Sequence, residues 1–227
     1  QQPSTAGIPS DYESALGRID LARDHARERE VERPNEWLIH DVAARAWLAR
    51  ARLTGSFEDY AEAESALSRA FAVAVPRTGP HMTAAVLAFS MHRLAAAERY
   101  LDEIGRYAVP PDPGERAELA AMRGDIALYR GEYADALAAY DAADAIAPAA
   151  SDFRRAVYHS KIGRPDLAED YFLRTERALA QRTPQVRANL ELQRGILDLE
   201  RGRWDDALAH FRKADRIFPG HWLIEEH

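Results

Sequence analysis

The chain has no cysteine, which excludes disulfides, thiolate metal ligands and a cysteine nucleophile and leaves its redox compartment open. No apolar run approaches the roughly 20 residues that span a bilayer, so no membrane insertion is expected. The eight histidines form no His-x3-His pair and no HExxH motif. The nearest plausible pair on one helix, His81 and His92, is eleven residues apart, whereas zinc sites usually show short ligand spacings. There is also no GxSxG elbow and no glycine-rich loop after a strand. The acid pairs Asp205-Asp206 and Glu225-Glu226 fall in helical segments, where the helix dipole accounts for them without catalysis. The expectation is a non-enzymatic chain with no metal and no cofactor.

Glycine and proline are sparse, 12 of each in 227 residues, and aromatics make up only 9%. Alanine is the commonest residue in the apolar 47%, which suits many thin helix-helix contacts and not one thick core, as in a solenoid. The net charge is -7 and the pI about 5.7. The charges are interspersed, which works against non-specific binding of nucleic acid. The start, QQPSTAGIPS, would suit a mature N-terminus left by signal cleavage, placing the protein outside the cytoplasm, or a domain cut from a longer chain.

What is present is a repeat. In residues 117–150 the small and aromatic residues Gly124, Gly131, Tyr133, Ala136, Tyr140, Ala143 and Pro148 fall at the spacing of two antiparallel helices joined by a short turn. Gly124 and Ala136 leave room where the axes approach, and Tyr140 fills the space beside them. A shift of 71 residues maps these seven onto Gly195, Gly202, Trp204, Ala207, Phe211, Ala214 and Pro219. A shift of 32 maps Gly131, Ala136 and Tyr140 onto Gly163, Ala168 and Phe172. This pattern resembles the tetratricopeptide repeat of bacterial-type repeat proteins. The resemblance implies an all-α, right-handed superhelical solenoid of antiparallel helix pairs.

Five repeats are expected, at about 36–76, 79–110, 117–150, 151–183 and 184–221. Residues 1–10 should be disordered or extended. Ser10 and Glu13 read as a capping box opening a one-sided capping helix over 11–33, with Tyr12, Ala15, Leu16, Ile19, Ala22 and Ala26 on its apolar stripe. Its RDHARERE segment alternates charges at helical pairing distances and reads as a solvated, ion-paired face. Asn35 should cap the next helix, SFEDY should form a lengthened turn, and the second repeat lacks the turn glycine. The broken stretch 108–114 would allow a small bend after the second repeat. Residues 222–227 look like the opening of a further, truncated helix. Trp222, Leu223 and Ile224 are then expected to pack back onto the fifth repeat or to meet another copy through the solenoid end.

The resemblance further implies that the first helix of each pair lines a concave groove for a partner peptide or helix. The residues this places inward are Arg45, Arg52, Val86, Phe89, Asp125, Leu128 and Tyr129 in the first three repeats. In the last two they are Phe153, Val157, Lys161, Leu192, Ile196 and Leu199. The basic residues with which some members clamp a terminal carboxylate are absent. Ala121, Asp125, Ala156 and Val157 stand in those places, so a mostly apolar or helical segment is the expected ligand, with Tyr129 its main anchor. Three functions compete: a protein-interaction scaffold, the regulatory arm of a larger protein, and an RNA-binding helical repeat. The last would need a basic groove, which this composition opposes.

Overall fold

The structure is a computed structural model that describes residues 7–179 and 183–226. Among the described residues there are twelve α-helices and no strand. They are α1 (Tyr12–Glu32), α2 (Trp37–Thr54), α3 (Phe57–Val73), α4 (His81–Ser90), α5 (Leu94–Ile104) and α6 (Pro113–Arg130), then α7 (Tyr133–Ile146), α8 (Asp152–Lys161), α9 (Pro165–Leu179), α10 (Pro184–Glu200), α11 (Trp204–Ile217) and α12 (Trp222–Glu225). The expectation of an unstructured start falls partly on residues 1–6, outside the described residues. The chain divides into two compact units, Ile19–Arg154 and the terminal segments up to Arg18 and from Arg155. The divisions fall inside α1 and α8, not at the proline-rich stretch 108–114.

The pairs form because the turns are cheap and, in two of them, a glycine leaves the crossing open. Two residues before the second helix of each pair stands a left-handed residue: Gly55 at φ 73°, Gly131 at 79°, Gly163 at 73° and Gly202 at 71°. Such angles cost glycine nothing sterically. The second pair has His92 there instead, at φ 54°. The turn therefore keeps its shape without its glycine, and the tertiary fold carries the strain. At the crossings, a Cβ on Gly124 would come within 2.5 Å of the Tyr140 ring, and one on Gly195 within 2.3 Å of Phe211. Tyr140 is fully buried and Phe211 nearly so.

The unit Ile19–Arg154 holds the pairs α2/α3, α4/α5 and α6/α7, with α3 against α4 and α5 against α6. One alanine-rich cluster joins Ala26 of α1 to Ala43, Ala44 and Leu48 of α2, Ala63, Ala66 and Leu67 of α3, and Ala84 and Leu87 of α4. A second links Ala85 and Ala88 to Leu101, Ile104, Met122 and Ile126. In α1, Ala26 is buried as expected, but Ala22 is exposed. The charged segment of α1 is not simply solvated. The Arg23 guanidinium lies 5.1 Å from the Trp47 ring, and Glu30, largely buried, accepts from Arg69 at 3.0 Å and meets His40 Nδ1 at 2.7 Å. Those contacts tie α1 to α2 and α3.

In the other unit, α9 and α11 flank α10, and α12 packs on α11. His159 of α8 stacks on Tyr171 of α9 at 5.4 Å. The carboxylate of Glu191, 2% exposed, meets His210 Nδ1 and Lys213 Nζ, both at 2.7 Å. Burial raises the Glu191 pKa, but the bonds from His210 and Lys213 and the charges of Lys213 and Arg194 outweigh it and leave the pKa below the ordinary value. Ile224 is buried and Trp222 and Leu223 are half-buried. The apolar end thus packs back, and the Tyr12 amide donates to the Pro219 carbonyl at 3.0 Å.

Three local expectations are corrected. The cap of α1 is Asp11, not Ser10: its carboxylate accepts from the Ser14 amide at 2.8 Å, and Ser14 Oγ, not Glu13, reaches back to the Asp11 amide at 3.4 Å. Asn35 does not cap α2, whose N-cap is Glu36 without a side-chain bond. Nor does SFEDY form a long turn. Ser56 caps α3 by accepting from the Asp59 amide at 3.2 Å, so the three extra residues become helix. Helix propagation there satisfies backbone groups that a longer loop would leave to water.

Candidate partner-binding surface

Along α2, Leu38, Asp41, Arg45, Leu48 and Arg52 recur at spacings of three and four, which aligns them on one face. With Trp37 they form one side of a groove of about 500 Å³. Pro80, Met82, Thr83 and Val86 of α4 and its entry supply the other side, and Tyr107 and Glu115 close one end. The Tyr107 hydroxyl donates to the Gly79 carbonyl and lies 3.0 Å from His81 Nδ1. Burial, with the nearby charges of Asp41 and Glu115, pushes the Tyr107 pKa up, so it stays a neutral donor.

The groove's charges are unequally satisfied. The Asp41 side chain is 8% exposed and accepts from Arg45 at 2.5 Å through Oδ2, while its buried Oδ1 has no hydrogen-bond partner. Arg52 is exposed and donates to Ser90 Oγ at 3.1 Å, with no carboxylate partner among the described residues. Further along the same unit, Tyr129 is 58% exposed. It meets Phe89 edge-on at 5.3 Å and His92 at 5.5 Å.

The structure sorts the expected residues. Arg45, Arg52 and Val86 line the groove, and Phe89 and Tyr129 form the aromatic pair beyond it. Leu128 and Phe153 are half-buried. Asp125 is already engaged: Tyr140 donates to Oδ1 at 2.9 Å and Arg154 Nε to Oδ2 at 2.8 Å. Burial pushes its pKa up against the pull of those bonds. It braces the α6/α7 crossing and is not a free handle for a partner. In the other unit, Val157 and Ile196 are half-buried and Leu199 is 37% exposed. Lys161 is exposed and 3.2 Å from Glu200. Leu192 is 2% exposed and is core. Missed from sequence were Trp37, Leu38, Asp41, Leu48, Met82 and Tyr107. The heptad-like spacing of the α2 stripe was the one signal, and only for Leu38, Asp41 and Leu48.

Among the described residues no helix is long and apolar enough to cross a membrane, and no group of three or more potential metal ligands converges. No family model matches the chain, and no curated protein matches it. Solved structures do. The APC/C hetero-tetramer Cut9-Hcn1 superposes with a TM-score of 0.64 at 16% identity, over 96% of this chain and 42% of that one. BtubC (BKLC) from P. vanneervenii gives 0.52 at 18%, over 92% and 91%. YrrB, a TPR protein with an unusual peptide-binding site, gives 0.44 at 16%, over 90% and 98%. This chain spans less than half the length of the first. Left-handed turns in the helix pairs, and glycine crossings filled by Tyr140 and Phe211 in two of them, give the chain an all-α helical-repeat fold of the tetratricopeptide type.

Proposed function

We propose that the chain is a protein-interaction scaffold that holds a short extended segment of a partner in the groove between α2 and α4. The observation that carries this is the groove itself, apolar along both sides and edged by polar groups whose hydrogen-bonding capacity the chain leaves unused. Its volume, about 500 Å³, lies in the ~300–1,000 Å³ range of binding pockets. Tyr129 with Phe89 offers a second apolar contact of the aromatic kind that dominates binding energy. That the fold takes part in hetero-assembly in Cut9-Hcn1 fits the same use. The reading assigns the chain no catalysis.

The test is a quantitative binding measurement with a partner recovered from the native host. Val86→Glu places a charge on the groove wall and should weaken binding at least tenfold. Asp141→Ala, on the exposed second-helix face, should leave it unchanged. Equal loss from both would move the interaction off the groove.

A further inference from the structure

A carboxylate can accept about four hydrogen bonds, and a buried one left short of donors carries an unrepaid desolvation cost. In the groove, Asp41 is more than nine-tenths buried, yet only one of its oxygens meets a donor, the Arg45 guanidinium. Arg45 is itself 59% exposed, so it sits at the rim and does not seal the site. At the other end of the same stripe Arg52 has a hydroxyl for company and no acid. The two groups are eleven residues apart on α2, about 16 Å at 1.5 Å per residue. Between and opposite them lie Leu48, Met82 and Val86, all apolar.

We infer that the groove is a two-point site for an extended peptide that brings a lysine to Asp41 and a carboxylate side chain to Arg52. An extended chain rises about 3.3 Å per residue, so the two charges are separated by about five residues, with apolar side chains between them facing the groove. The lysine ammonium meets the Asp41 carboxylate from the groove that this side chain lines, and the acid gives Arg52 the bidentate partner its planar fork is built for. This assignment rests on the proposed groove and adds the charge code of its ligand.

The probe is an array of blocked hexapeptides with lysine first, glutamate last, and four central positions drawn from leucine, phenylalanine, alanine, serine and glycine. Parallel sets carry glutamine at either or both ends. Binding is read by the shift of the Trp37 indole N–H signal, assigned with Trp37→Phe. The best lysine–glutamate peptides should bind at least tenfold tighter than their double-glutamine versions. Asp41→Asn should lower affinity at least fivefold for peptides with lysine while leaving the glutamine-first set unchanged. Arg52→Gln should do the same at the glutamate end. Circular dichroism and the unchanged set together exclude misfolding. If apolar peptides move the Trp37 signal equally with charged or neutral ends, the charge code is wrong and the groove assignment stands. If no peptide of the array moves it at millimolar concentration, the groove assignment falls with it.

Discussion

Gly124→Ala should destabilise the protein, against the usual direction for a helical glycine. In a helix interior, replacing glycine by alanine normally stabilises by about 0.5–1 kcal/mol, because the unfolded chain loses freedom. At Gly124 the new methyl would sit 2.5 and 2.6 Å from two Tyr140 ring carbons and 3.1 Å from the Ala136 carbonyl oxygen. Tyr140 cannot swing aside cheaply, since it is fully buried and its hydroxyl donates to Asp125. Overpacking of this kind costs about 1–3 kcal/mol, so after the entropic gain is offset the net loss should be about 1–2 kcal/mol. Gly195→Ala, meeting Phe211 at 2.3 and 2.6 Å, should behave alike. Gly17→Ala in α1, where nothing lies within 4 Å, should stabilise. Urea unfolding of the three variants gives the signs directly. A Gly124→Ala midpoint at or above that of the parent would refute the crossing geometry.

The second turn supplies a complementary case: His92→Gly should relieve the left-handed strain and stabilise by about 1 kcal/mol, less the lost ring contact with Tyr129, whereas Gly131→Ala should destabilise; thermal melts decide both. Asp11→Ala should lower the melting midpoint while Ser10→Ala leaves it in place, because the carboxylate and not the hydroxyl covers the Ser14 amide. The depressed pKa of Glu191 means that its contribution to stability is complete above the ordinary glutamate value, about 4.3, and is lost as pH falls through the folded-state value. Glu191→Gln should therefore be less stable at neutral pH and lose less on acidification, as urea midpoints at several pH values between 7 and 3 would show. A parent whose midpoint does not fall in acid any faster than the variant's would contradict that role.

The crossings were legible because close approach of two backbones admits almost no substitute for glycine and alanine. Hence Gly124, Ala136 and Tyr140 announce the fold, and their counterparts at Gly195, Ala207 and Phe211 repeat it. The turns were legible for the same reason, with one exception: at His92 tertiary packing holds a residue that prefers other angles, and no local rule reveals that. The cap of α1 was misplaced by one residue because Ser10 and Asp11 are both good caps, and only the entry angle of the chain chooses between them. The groove was less legible. The stripe Leu38, Asp41, Arg45, Leu48 and Arg52 has the spacing of any amphipathic helix, and whether such a face is core or groove depends on how far α4 stands from α2. Leu192 and Leu199, two turns apart on the same helix face, read alike in sequence, yet one is core and the other exposed. Asp125 looked like a free charge because its partners, Tyr140 and Arg154, lie 15 and 29 residues away.

Backbone amide shift mapping with the native partner's binding segment tests the central claim most directly. The account predicts that the perturbed residues cluster on the α2/α4 groove, at Trp37, Leu38, Val86 and Tyr107, with a second patch at Phe89 and Tyr129 and none at Asp141. Perturbations confined to the exposed faces of the second helices, with the groove signals unmoved at saturation, would contradict it.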